Sequence, residues 1–190
     1  MTSNFIFRIS SMLSLILFYL VLLIGLFTLI ANGSYIWWPH SAFTNSLGEF
    51  EPLYGYMTLN FSQQPDLYTD KSFMVLSFIS NLILFLFMLS FLWLLYRFLK
   101  NIYTDGLFMY ENVSILFRMG IAFAVLGSAA TYMDGLLLSK AMTALEISNA
   151  SIGFSNIAYA DFIIAGIVIM LIASALKTAA NAVEENEKTI

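Results

Sequence analysis

The chain has 190 residues, of which 60% are hydrophobic and only 11% are charged, and its net charge is -4. A soluble domain usually carries about 25% charged residues, so this composition favours an integral membrane protein and shows no basic footprint for nucleic acid. The chain has no cysteine and one histidine, which excludes disulfides and thiolate metal sites and argues against a histidine-based one.

Four long apolar segments predict four membrane-spanning helices. The first two, residues 12–31 and 73–96, contain no charged residue, and twenty residues of helix rise about 30 Å, the thickness of a bilayer core. We predict the third and fourth spans at residues 114–134 and 155–176. The predicted fold is all-α, an integral membrane four-helix bundle that forms a single domain over residues 1–190.

The first apolar segment has one alternative interpretation, as a cleaved signal peptide, because Arg8 precedes it. Signal peptides have apolar cores of about 7–15 residues, whereas this run has twenty residues and no A-x-A-like cleavage site follows it. We therefore expect a membrane anchor that is retained in the protein.

Two polar stretches, residues 32–72 and 135–154, are predicted to lie on the outer side of the membrane. The first holds all three prolines and nine aromatic residues, and its aromatic, turn-bounded run at 54–61 allows short β-structure. We interpret this stretch as an extracytoplasmic loop region that caps the bilayer surface. A surface that senses a ligand or a partner is the alternative.

The positions of the basic residues predict the orientation of the bundle. Six of the eight Lys and Arg residues fall on one side of the predicted spans, and Lys71 and Lys140 fall on the other. Loops rich in Lys and Arg face the cytoplasm, so we predict a multi-pass protein with both termini cytoplasmic. A connection at residues 97–113 and a tail at residues 177–190 are then cytoplasmic, and the tail is predicted to continue the fourth span as a helix.

Small residues recur at every fourth position of the third span, at Gly120, Ala124 and Ser128. This spacing places them on one helix face, which lets another helix approach closely. A homo-oligomer that packs through this face is one outcome, and the protein would then be a structural subunit.

Two carboxylates, Asp134 and Asp161, are predicted near membrane depth. Sixteen residues separate Arg118 from Asp134, and sixteen separate Asp161 from Lys177. Each Asp therefore lies about 24 Å from a basic residue along its helix, just inside the outer edge of a core about 30 Å thick. Ionisable side chains at that depth are candidates for ligand or ion binding, and a water-exposed interfacial position is the alternative.

The sequence contains no catalytic motif. It has no Walker loop, no H-E-x-x-H, no G-x-S-x-G and no acid/base pair that includes histidine. We therefore predict a protein that is not an enzyme, with no catalytic residues, no metal site and no cofactor.

Two stretches resemble a known family. Gly106-Leu-Phe-Met-Tyr-Glu-Asn-Val, followed by Arg118-Met-Gly120, resembles the pattern G-x-F-[ST]-x-E-N-V…R-x-G of the YoaS-like bacterial membrane proteins of unknown function. Residues 183–190, Val-Glu-Glu-Asn-Glu-Lys-Thr-Ile, resemble the terminal x-E-E-N-E-L-T-V of that family. Met109 stands where the family has Ser or Thr, so we expect the following helix, without a capping hydroxyl, to start less sharply. Lys188 replaces the usual Leu.

The resemblance implies a four-span protein of the bacterial cytoplasmic (inner) membrane, in a family without an established activity. Such proteins often look like the membrane partner of a small helix-turn-helix transcription regulator encoded beside them. This favours a membrane-bound regulatory protein whose acidic tail docks a basic DNA-binding partner and which does not bind nucleic acid itself. The predicted partner-binding residues lie in or beside the connection and in the tail: Arg97, Lys100, Glu111, Asn112, Arg118, Glu184, Glu185 and Asn186.

A second hypothesis follows from the residues alone. The protein would be a small-molecule or ion-binding, transport-like membrane protein that uses Asp134 and Asp161. Few polar side chains accompany them in the first two spans, among them Ser77, Ser80 and Asn81. No predicted helix has the Gly/Pro interruption typical of transporter sites, which argues against a full transport path.

Overall fold

A computed structural model describes residues 2–55, 59, 61, 63–144 and 158–188 of the chain. Helices make up all the regular secondary structure in these ranges. Four continuous helical segments are long and apolar enough to cross a membrane: Asn4–Trp37, Lys71–Thr104, Tyr110–Thr143 and Ala158–Asn186. The prediction of an all-α protein with four long apolar helices is therefore confirmed.

Six α-helices occur in the described ranges. Their bounds are Thr2–Trp37 for α1, Ala42–Leu47 for α2, Lys71–Thr104 for α3, Tyr110–Ala122 for α4, Ser128–Thr143 for α5 and Ala158–Lys188 for α6. A 3₁₀ turn at Asp66–Thr69 precedes α3. A π-helical turn at Phe123–Gly127 joins α4 to α5 in one continuous element, which we call the α4–α5 rod.

The first helix extends beyond the predicted span. It continues to Trp37 instead of ending near residue 31, because the first helix-breaking residue after the apolar run is Pro39. Asn32, which we placed in the outer loop, is buried in this last part of α1, and its Nδ2 donates to the carbonyl oxygen of Thr28.

The connection and the second outer loop are both shorter than predicted. Because α3 runs to Thr104 and α4 begins at Tyr110, only residues 105–109 of the predicted 97–113 connection lie outside a helix. α5 runs to Thr143, nine residues past Asp134, and no proline interrupts it. Hydropathy predicts the lipid-compatible part of a helix, whereas these helices continue into polar sequence.

Two predictions fall largely outside the described residues. Of the run at 54–61, the structure describes residues 54, 55, 59 and 61, and none of these four belongs to a strand. Residues 145–154 of the predicted second loop are also outside the described ranges. α6, in contrast, is continuous from Ala158 to Lys188, which confirms that the fourth apolar segment continues into the tail as a helix.

α3 is the central helix, since it packs against α1 along its length and against the α4–α5 rod. α6 packs against the rod. α1 packs chiefly against α3, and its other faces are apolar and exposed; Leu23 and Ile24, for example, are 66% and 65% exposed. Exposed apolar surface of this extent marks a helix that meets either lipid or another protein.

The segment between α1 and α3 packs onto one end of the bundle. We call its described residues (38–55, 59, 61 and 63–70) the cap, and we call the end of the bundle that they cover the cap end. The end of the bundle at residues 105–109 is called the connection end. In the cap, Phe50 and Tyr68 are buried against Phe73 of α3 and Leu137 of α5. A second buried cluster joins α4 to α6 towards the connection end: Ile115, Leu116, Met119 and Ala173.

The small residues of the third apolar helix pack within the chain. A Cβ placed on Gly120 would lie 2.7 Å from the carbonyl oxygen of Gly166 on α6, and one on Gly166 would lie 2.8 Å from Cβ of Ala124. Ser128 Oγ donates to the carbonyl oxygen of Tyr159, also on α6. The prediction that another helix approaches this face is correct, but the proposed homo-oligomer contact needs correction, because α6 of the same chain covers the face.

Candidate functional site

A partly open cavity of about 360 Å3 lies at the cap end, between α3, α5, the start of α6 and the cap. Apolar side chains form most of its wall, and five side chains supply its polar groups. These five are Ser80 and Asn81 of α3, Thr131 and Asp134 of α5, and Tyr54 of the cap. A cavity of a few hundred Å3 that combines apolar walls with a few polar groups is the common form of a small-molecule site.

Asp134 links α5 to the cap. Its Oδ1 accepts a hydrogen bond of 3.1 Å from the backbone N–H of Gly55. A Cβ at position 55 would lie 3.0 Å from Oδ2 of Asp134, so a glycine allows the cap to come this close. One N–H donor uses only part of the accepting capacity of a carboxylate, and the carboxyl group can therefore also accept a donor from inside the cavity.

Asn81 brings an unpaired donor to the same cavity. Its Nδ2 is buried and has no hydrogen-bond partner among the described residues. Ser77, one helical turn earlier on the same face of α3, is fully buried, and its Oγ is likewise unpartnered within the described part of the chain. Buried polar atoms without partners are uncommon in folded proteins, and each one is explained by a bound ligand, a water molecule or a structural constraint.

Two tyrosines of the cap lie beside the cavity and form a hydrogen bond with each other. The hydroxyl groups of Tyr54 and Tyr68 are 2.8 Å apart, and Tyr54 lines the cavity. Burial, followed by the hydrogen bond to Tyr68 and the nearby charge of Asp134, raises the pKa of Tyr54 well above its ordinary value. The Tyr54 hydroxyl therefore stays neutral at physiological pH and can donate as well as accept a hydrogen bond.

The π-helical turn of the α4–α5 rod immediately precedes the cavity-lining residues of α5. Its last residue, Gly127, faces the ring of Phe162 so closely that a Cβ would overlap the ring. A π turn accommodates one residue more than an α turn, so it rotates every later residue by about 100° relative to an uninterrupted α-helix. In the register that follows, Ala130, Thr131 and Asp134 line the cavity.

The second predicted carboxylate lies elsewhere. Asp161 is exposed in the first turn of α6, where the helix dipole favours a negative charge. It does not line the cavity, whereas its neighbour Phe162 does. The structure therefore does not bring Asp134 and Asp161 together in this cavity, and Asp161 is exposed outside it.

At the connection end, Asn112 belongs to the stretch that resembles the YoaS-like pattern, and its role in the structure is to hold the connection. Its side chain is fully buried, and its Nδ2 donates to the carbonyl oxygens of Gly106 and Leu107 at 2.9 and 3.0 Å. Gly106 has a φ of 99°, a conformation that favours glycine. We predicted Asn112 as a partner-binding residue, and this needs correction, because a fully buried side chain cannot reach a partner.

Other motif residues also hold the connection end together. Arg97 of α3 forms an ion pair with Glu111 of α4, and Tyr110 donates to Oδ1 of Asn181 in the tail part of α6 at 2.6 Å. α4 begins after Met109 without a side-chain cap, as we expected from the missing hydroxyl. The structure thus brings the predicted connection and tail into contact with each other.

The remaining predicted partner-binding residues are on the surface or close to it. Lys100, Arg118, Glu185 and Asn186 are exposed, and Glu184 is partly buried and pairs with Lys188. Between the connection and the tail lies a groove of about 440 Å3, whose rim carries both apolar and acidic side chains. Phe108 and Val183, on its two sides, are 49% and 38% exposed.

Sequence reasoning underestimated the cap-end site. In the sequence, Asn81 is one of a few polar residues in an apolar span. Its spacing from Ser77 places both side chains on one helix face. Tyr54 and Gly55 carry no local signal, because they reach Asp134 only through the folding of the cap over the bundle, a contact across 79 residues of chain.

Comparisons of the chain with family models, with curated proteins and with solved structures found no match. The resemblance of residues 106–120 and 183–190 to the YoaS-like proteins therefore stays a prediction.

Proposed function

We propose that the chain is a multi-pass integral membrane protein of the bacterial cytoplasmic membrane, with the cap outside and both termini in the cytoplasm. Four helices of sufficient length and hydropathy support this proposal, together with the exposed apolar faces of α1. The Lys and Arg residues are concentrated towards the connection end, which is the side that the positive-inside rule assigns to the cytoplasm.

The function that the geometry supports best is non-enzymatic binding of a small amphipathic molecule in the cap-end cavity. The observation that carries this proposal is that Asp134, Tyr54 and Asn81 line the same cavity and that the buried amide N–H of Asn81 is unpaired among the described residues. A carboxylate at membrane depth attracts a cation, and the amide N–H requires an acceptor. The matching ligand has an ammonium group, a nearby carbonyl or ether oxygen, and an apolar body for the remaining wall.

Phenylalaninamide carries these three features and serves as a probe of this ligand class. We expect it to bind the purified full-length protein, and we expect Asp134→Asn to weaken binding about tenfold or more, because a hydrogen bond to a charged group is worth about 1.5–3 kcal/mol. Asn81→Ala should weaken binding about fivefold. Isothermal titration calorimetry measures both effects, on protein first shown to stay in membranes after alkaline extraction.

The matched control is Asp161→Asn, which removes an exposed carboxylate outside the cavity. Its affinity for phenylalaninamide should equal that of the wild type, and N-acetylphenylalaninamide, which has no ammonium group, should bind weakly to all variants. Equal affinities of the wild type and Asp134→Asn would contradict the proposal. Equal losses in Asp134→Asn and Asp161→Asn would indicate a general effect of charge and would also contradict it.

A second candidate function, partner docking in the cytoplasm, is favoured by one observation at the connection end. The connection and the tail, each part of the resemblance, form one groove. In it Phe108 and Val183 present apolar surface beside Asp105, an exposed carboxylate outside the two ion pairs of the described residues. An apolar centre with an acidic rim suits a basic protein partner. We propose a small helix-turn-helix regulator as that partner, held away from DNA while it is bound.

Replacement of Phe108 and Val183 by serine should abolish recovery of this partner in a single-step pull-down from native membranes. Both side chains are exposed, so the variant should fold normally, whereas removal of the tail would also remove Ala180, which is only 2% exposed. Leu53→Ser, at an exposed position of the cap, is the control. Equal recovery of a small basic DNA-binding protein with the wild type and with the double variant would contradict docking at this groove.

A further inference from the structure

A second groove, distinct from the two sites above, lies between α4 and α6. It has a volume of about 410 Å3 and opens on the surface of the bundle. Phe117 and Ala173 contribute apolar wall, Ser114 contributes a hydroxyl group, and Arg118 and Lys177 contribute two cationic side chains. The groove therefore combines a positive charge with an apolar surface.

The two cations of this groove have no acidic partner in the described part of the chain. Both side chains belong to exposed residues, and the ion pairs among the described residues are Arg97–Glu111 and Glu184–Lys188. Glu111 and Glu184 thus pair with cations outside the groove. Arg118 and Lys177 keep their charge for a ligand.

The position of the cations along the helices matches the depth of lipid phosphates. Residues 119–133 and 162–176 contain no charged side chain, so Arg118 and Lys177 each mark the boundary of a long apolar stretch. A charge-free stretch of this length spans about 24 Å of a core about 30 Å thick. The cations then lie at the inner edge of the core. Phe117 lies beside Arg118 at the same edge, and Ala173 lies one helical turn deeper than Lys177.

We infer that this groove binds the headgroup of an anionic phospholipid from the inner leaflet, with the phosphate between Arg118 and Lys177 and the acyl chains directed into the membrane core. The inference rests on the proposed membrane function. A guanidinium group can bond two phosphate oxygens at once, and the Ser114 hydroxyl is placed to donate a further hydrogen bond. Basic pockets between membrane helices on the cytoplasmic side are suited to such headgroups.

The test measures the binding of lipids to the purified full-length protein in a neutral detergent. Dioleoylphosphatidylglycerol should raise the melting temperature in a saturable manner, whereas dioleoylphosphatidylcholine and inorganic phosphate should not. Each cation is worth roughly a fivefold change in affinity for an anionic lipid surface, so Arg118→Gln/Lys177→Gln should bind phosphatidylglycerol about 25-fold more weakly. If the double variant does not fold, each single variant should show the fivefold loss.

Lys100→Gln is the matched control, because Lys100 is an exposed cation at the same end that does not line the groove. Its affinity for phosphatidylglycerol should equal that of the wild type. An unchanged lipid affinity in the double variant, or an equal shift with inorganic phosphate alone, would overturn the lipid assignment. Release of the wild type from membranes at alkaline pH would instead contradict the proposed membrane function, so the two failures are distinguishable.

Discussion

Replacement of Gly166 by leucine should separate α6 from α4 and give the largest loss of stability of any single substitution considered for this protein. A Cβ at this position would lie 2.5 Å from the carbonyl oxygen of Gly120 and 2.8 Å from the backbone N of Ala124. Backbone atoms cannot rotate away as a flexible side chain can, so the helices must move apart. Overpacking of a core costs about 1–3 kcal/mol and occasionally more, and we expect about 3 kcal/mol or more here.

A decrease of this size should lower the melting temperature in detergent by about 10 °C, at roughly 2–4 °C per kcal/mol for a chain of this size. Ala175→Leu is the matched control, because Ala175 is an exposed residue of the same helix, and it should melt within a few degrees of the wild type. Equal melting temperatures of Gly166→Leu and the wild type would show that α4 and α6 do not make this contact.

The second large effect is expected for Asn112→Asp. The substitution keeps the shape of the side chain but removes both donors, leaving the carbonyl oxygens of Gly106 and Leu107 without their partner and placing a negative charge against them. An unsatisfied buried polar group costs about 1–3 kcal/mol, so the free energy of unfolding should fall by about 2–4 kcal/mol. Thermal unfolding followed by circular dichroism measures this decrease.

Asn45→Asp is the control for this prediction, because Asn45 is exposed in α2. It introduces the same charge at a position that faces solvent, and its stability should stay near that of the wild type. A small effect of Asn112→Asp would mean that the buried amide does not hold the connection.

The helices were predictable because hydropathy is a local property. A run without charge such as residues 73–96 specifies a long apolar helix by itself, and the spacing of Gly120, Ala124 and Ser128 correctly predicts that another helix approaches closely. The identity of that helix was not predictable, because Gly166 lies some forty residues away and nothing in either local pattern pairs them.

The candidate site was predictable only in its carboxylate. The depth argument selects Asp134 from its distance to Arg118, but it selects Asp161 equally, and only the tertiary structure separates the two. The rotation of α5 that turns Asp134 towards the cavity depends on the π-helical turn at Phe123–Gly127. Neither hydropathy nor residue spacing predicts this turn. The contact of the cap with Asp134, through the backbone N–H of Gly55, likewise joins residues distant in sequence.

The continuity of the α4–α5 rod has a mechanical consequence. Tyr110 donates a hydrogen bond to the tail, and Asp134 accepts one from the cap. The two residues are 24 positions apart on one helical element, a distance of about 36 Å. The rod therefore connects the tail contact and the cap contact through one continuous helical element. The π turn in the middle of the rod contains one residue more than an α turn. A change of this turn to α-helical hydrogen bonding would rotate one half of the rod relative to the other by about 100°.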